Sequence, residues 1–69
     1  MSITVTLSIP AISCHHCVNT IVRETQELPG VLKVTGDAKA KTATFTLENE
    51  SVLSNVRQTL AEIGYPAAN

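Results

Sequence analysis

Hydrophobic and polar residues alternate strictly at the start of the chain. Ile3, Val5, Leu7 and Ile9 fall on one side, and Ser2, Thr4, Thr6 and Ser8 on the other. A period of two over eight residues predicts a strand with one face on a core and the other in water. Pro10, which has no backbone N–H for a ladder, ends it. After a loop over residues 11–16 the period lengthens. Val18, Ile21, Val22, Thr25 and Leu28 recur at spacings of three and four, while Asn19, Arg23, Glu24 and Glu27 lie off that stripe. This predicts an amphipathic helix, closed by Pro29-Gly30.

Residues 31–37, with Val31, Leu32 and Val34, read as a second strand of weaker alternation. A turn beginning at Gly36 and Asp37 runs on through Ala38, Lys39 and Ala40. Residues 41–47 alternate again, Ala43, Phe45 and Leu47 against Thr42, Thr44 and Thr46, so the two strands are expected to form a hairpin. Asn49 or Ser51 is the expected N-cap of a second helix, whose stripe is Val52, Leu53, Val56, Leu60 and Ile63. Gly64 stands where a glycine stops a helix. Residues 65–68 leave room only for a short final edge strand. The order is β-α-β-β-α-β, with one apolar face per element. That pattern predicts an α+β, ferredoxin-like two-layer sandwich of two helices on a four-stranded antiparallel sheet. One domain is expected over residues 1–69.

Composition narrows the function classes. Hydrophobic residues make up 43% of the 69 and charged residues 16%, and much of the polarity comes from Thr. The apolar fraction is too high for a disordered tail. The formal net charge is −1, and the five basic residues are scattered rather than gathered in a stripe, which argues against nucleic acid. So small a core leaves little room for a deep substrate pocket. No Ser/His/Asp order, paired carboxylates, G-x-G-x-x-G or P-loop is present, so no enzyme activity is expected. No apolar run approaches the ~20 residues of a membrane span, and the N-terminus lacks the charged and apolar regions of a secretory signal. The expectation is a cytoplasmic protein without membrane insertion.

The chemistry lies in Ile12-Ser13-Cys14-His15-His16-Cys17, at the junction of the first loop and helix. The expected boundary puts Cys14 in the loop and Cys17 in the first helical turn, letting both sulfurs converge on one point. Unpaired N–H groups and the positive end of the helix favour thiolate there, above all at Cys17. Two soft thiolates without an obvious third ligand suit Cu(I), which thiolates select. Zn(II) is the competitor, yet a closed zinc site needs four ligands and there is no second C-x-x-C. A thioredoxin-like thiol–disulfide function is the remaining alternative; such motifs sit in longer chains of different strand order.

These residues resemble the heavy-metal-associated domain of bacterial-type soluble copper chaperones. The resemblance covers essentially the whole chain, including Pro29-Gly30-Val31 after the first helix and Gly64-Tyr65 after the second. The family motif M-x-C-x-x-C is met at Cys14 and Cys17 and departs at Ile12, which stands in the place of Met. In the family that Met anchors the loop from beneath, a packing role that Ile preserves. The resemblance implies Cu(I) carriage in the cytoplasm to the metal-binding domain of a copper-transporting P-type ATPase, by thiolate exchange between C-x-x-C sites. A copper-bridged homodimer is also compatible with it.

The other nearby residues have ordinary readings beside functional ones. His15 is a solvated loop residue or an auxiliary metal ligand. His16, common at this position in bacterial members, is a solvated residue or a tuner of the thiolates. Tyr65, also a bacterial feature, is a core-edge aromatic or a cover over the metal loop. The basic residues are expected to be ordinary solvated charge.

Overall fold

A computed structural model describes residues 2–68. Five elements follow one another: β1 (Ile3–Ser8), α1 (His15–Gln26), β2 (Val31–Asp37), β3 (Thr42–Leu47) and α2 (Ser51–Glu62). The sheet order is β1-β3-β2, and both outer strands run antiparallel to β3. The period-two faces pair as the sequence requires. Leu7 lies opposite Ala43 and Val5 opposite Phe45, so one face of the sheet is apolar. On the outer face Thr4 meets Thr46 and Thr6 meets Thr44, whose hydroxyls lie 3.0 Å apart.

Both helices lay their stripes on the apolar face. Phe45, Leu7, Ile9, Ile12, Ile21, Leu47, Leu60 and Val56 are completely enclosed between the layers. Each such side chain stabilises the fold by about 1.5–3 kcal/mol relative to exposure. Thr25 is the buried polar member of the stripe, and its hydroxyl donates to the Ile21 carbonyl at 2.6 Å, so no polar group is stranded. Helix α1 and the sheet approach closely at Gly36 of β2. A Cβ there would stand 2.6 Å from Val18 Cγ1, and only glycine fits.

Three details differ from the sequence expectation. The fourth strand does not form within the described residues, so the sheet has three strands rather than four. Residues 65–68 run beside β1, where the Ala68 N–H donates to the Ser8 carbonyl at 2.7 Å. Pro66 removes a donor from a segment already too short for a ladder. Strand β2 spans Val31–Asp37 as expected, and the turn follows over residues 38–40. Asp37 Oδ1 accepts the N–H groups of Lys39 (2.9 Å) and Ala40 (3.2 Å), closing that turn from the strand end. Finally, α1 starts at His15, so both histidines belong to its first turn and not to the loop. The N-cap of α2 is Glu50, flanked by the two expected candidates, and Asn49 Oδ1 accepts the Ser51 N–H at 2.9 Å.

Candidate metal centre

The loop between β1 and α1 is folded tightly onto the end of the sheet. Ile9 N–H donates to the Lys41 carbonyl at 2.8 Å, and Ile12 N–H donates back to the Ile9 carbonyl at 3.0 Å. Ile12 is wholly buried beneath the loop, in the position where it fixes the path of the residues that follow. Cys14 is the N-cap of α1, extended at φ −160° and ψ 176°. Its carbonyl accepts the N–H groups of Cys17 (3.1 Å) and Val18 (3.4 Å), and no side chain caps the helix. With no capping side chain, nothing in the sequence marked Cys14 as the start of the helix.

Cys14 and Cys17 are thus the N-cap and the third helical residue. Both are free thiols, Cys14 exposed and Cys17 buried, with their sulfurs 3.8 Å apart. Cys17 is held well below the ordinary thiol range, lowered from 9.0 to about 6. The largest cause is the Tyr65 hydroxyl as a donor toward the sulfur; the backbone N–H and hydroxyl of Ser13 follow, burial opposes them, and the backbone N–H of Cys14 adds least. The same bond raises the Tyr65 phenol above 10.0, so Tyr65 keeps its proton and remains a donor.

Tyr65 reaches the thiols because of how α2 ends. Gly64 takes φ +89°, a backbone region that glycine occupies without strain. Its N–H then donates to the Ala61 carbonyl (3.3 Å) and the Tyr65 N–H to the Leu60 carbonyl (2.8 Å), the paired bonds of a Schellman motif. The chain leaves the helix with Tyr65 directed at Cys17.

His15 and His16 are exposed on the first turn of α1. Thr20 Oγ1 donates to the His16 carbonyl at 2.9 Å, a backbone contact that leaves the imidazole uninvolved. Among the described residues no group of three or more His, Cys, Asp or Glu side chains gathers to hold an ion. Within one chain the assembled donors are the two sulfurs. Sequence reasoning missed Ser13, whose hydroxyl lies 3.6 Å from Cys17 Sγ. The available signal was a hydroxyl four residues before a thiol at a helix start, the spacing of one turn.

A three-stranded sheet backed by two helices, with a half-exposed thiol pair at a helix N-terminus and no pocket detected among the described residues, defines a small domain whose chemistry is two sulfurs. Residues 6–66 match the heavy-metal-associated domain, and the chain belongs to that family. It is 30% identical over 66 residues to the mercuric transport protein periplasmic component of Pseudomonas aeruginosa, spanning 94% of this chain and 72% of that one. The crystal structure of oxidised MerP from Ralstonia metallidurans CH34 superposes with a TM-score of 0.88 at 27% identity, over 99% of this chain and 96% of the other. A Bacillus anthracis protein to which copper-ion binding is attributed superposes with a TM-score of 0.87 at 30% identity, over 97% and 96% of the two chains. No helix among the described residues is long and apolar enough to cross a membrane.

Proposed function

We propose that the protein is a Cu(I) carrier that holds one ion between Cys14 and Cys17 and passes it on by ligand exchange. The observation that carries this reading is the inequality of the two sulfurs. Cys17, buried and hydrogen-bonded, is ionised at neutral pH without a metal present, whereas Cys14 is open to an incoming donor. An ion held there is accessible, which handover requires, and the ordered loop limits its loss to water. Soft thiolates suit Cu(I), and two ligands are fewer than a closed zinc site needs. Likeness to a protein to which copper-ion binding is attributed supports the same metal.

The receiving partner in this reading is the thiol-bearing metal-binding domain of a copper-transporting P-type ATPase, met in the cytoplasm. The protein acts as a carrier and not as an enzyme. Joining of two copies by copper, with His15 as an auxiliary ligand from either copy, is compatible with the exposed first turn of α1.

A second reading, a carrier of a soft divalent ion, is favoured by likeness to the Pseudomonas relative, a mercuric transport protein. Competition against a Cu(I) chelator, repeated in mixtures with Zn(II) and Hg(II), separates the readings. The copper reading expects one Cu(I) per chain, held tightly, preferred over the divalent ions and lost in Cys14→Ser/Cys17→Ser. Micromolar or weaker Cu(I) affinity, or preference for a divalent ion, overturns it.

A further inference from the structure

Four groups hold the Cys17 thiol low: the Tyr65 hydroxyl, the Ser13 backbone N–H, the Ser13 hydroxyl and the Cys14 backbone N–H. Ser13 contributes two of them from one residue of the loop. Its hydroxyl stands 3.6 Å from Cys17 Sγ, and the exposed Cys14 sulfur lies 3.8 Å from that same atom on the solvent side. Ser13 stands between buried Ile12 and the N-cap Cys14, which fix the path of its backbone. Exposure of Ser13 to solvent means that its side chain fills no space in the core.

We propose that Ser13 is a positioning residue for metal release: its hydroxyl receives the Cys17 sulfur as the ion leaves it, so that Cys17 is given up first while Cys14 still holds the ion. The inference rests on the metal-carrier reading above. In the step, the bond from the ion to Cys17 breaks as a bond to the incoming ligand forms. The electron pair of the broken bond stays on the Cys17 sulfur as a thiolate. No electron changes hands and no proton moves, because Ser13 keeps its proton and donates it only as a hydrogen bond.

The physical reason is a difference between two states of one sulfur. Bound to a cation, the sulfur has given charge into the metal bond and accepts hydrogen bonds weakly. Once free it carries a full negative charge, and the bond from Ser13 becomes charge-assisted and stronger. An interaction that is stronger in the released state lowers the barrier to release and does not tighten binding. A hydroxyl that merely shaped the loop acts with the opposite sign, since its loss loosens the site and speeds release.

Ser13→Ala and Ser13→Thr test this in the full chain loaded with one equivalent of Cu(I). The probe is bicinchoninate, an anionic chelator whose Cu(I) complex is coloured. Equilibrium absorbance gives affinity, and stopped-flow absorbance gives the release rate. Ser13→Ala should release Cu(I) about three- to tenfold more slowly, at equal or tighter affinity, the size of one hydrogen bond to a charged group. Ser13→Thr, which keeps the hydroxyl, should come within about twofold of the wild type. Unchanged or faster release from Ser13→Ala, or slow release that threonine does not restore, overturns the proposal while leaving the carrier reading intact. Failure of the wild type to load one Cu(I) overturns both.

Discussion

The Tyr65 hydroxyl is the largest cause of the lowered Cys17 titration, and Tyr65→Phe removes it while keeping the ring. In a Cys14→Ser background only Cys17 titrates among the cysteines, and the thiolate is followed by its ultraviolet absorbance. With Cys17 at about 6, roughly nine-tenths of it is thiolate at pH 7. Tyr65 is the largest of the four lowering causes, and hydrogen bonds to ionised acceptors are among the stronger ones. Its loss should move the midpoint up by about one pH unit, leaving roughly half of the thiol ionised at pH 7. The contributions of Ser13 and the backbone remain, so the midpoint should stay below the ordinary 9.0. A midpoint near 9 in the Tyr65-containing protein, or one that stays near 6 after Tyr65→Phe, refutes the reasoning.

The same thiol links stability to pH. Cys17 titrates at about 6 when folded and at an ordinary 9.0 when the chain unfolds, so between those values the unfolded state binds more protons. Apo-protein stability should therefore rise from pH 6 to pH 9 and be lost as pH falls through about 6, a slope that urea midpoints should find missing in Cys17→Ser. Ile12→Ala should cost about 2–5 kcal/mol in urea unfolding because it empties a buried site, whereas Ile12→Met should cost under about 1.5 kcal/mol; a milder alanine variant argues that the loop is not anchored there. Gly36→Ala drives a Cβ to 2.6 Å from Val18 Cγ1 and should destabilise by about 1–3 kcal/mol, with Val18→Ala relieving most of the loss in the double variant.

The elements were legible wherever burial is one-sided. Strict alternation in β1 and β3 placed Leu7, Ile9, Ala43, Phe45 and Leu47 in the core, and the helical stripes placed Ile21, Thr25, Val56 and Leu60 there. The helix boundary that escaped is set by a backbone carbonyl. The Cys14 carbonyl starts α1 without a capping side chain. A final strand was inferred from the element order, but Pro66 leaves its segment one bond to β1 within the described residues. The thiol pair was legible from spacing alone. Its hydrogen-bond partners were only half legible, since Tyr65 lies 48 positions from Cys17 and reaches it through the way α2 ends, while Ser13 carries a contact that only the folded loop reveals.

The bond from Ala68 to Ser8, at the end of the described residues, has a dynamic consequence. Segments secured by few backbone bonds open locally at far lower cost than the sheet centre. The phenol that grips Cys17 is carried by such a segment, anchored on one side by the Leu60 carbonyl and on the other by Ser8. Amide hydrogen exchange should therefore be slowest in β3, which is paired on both sides, and fast at Ala68. Each brief opening of the segment would loosen the donor that most lowers Cys17 without unfolding the domain, tying the chemistry of the sulfurs to the breathing of one edge of the sheet.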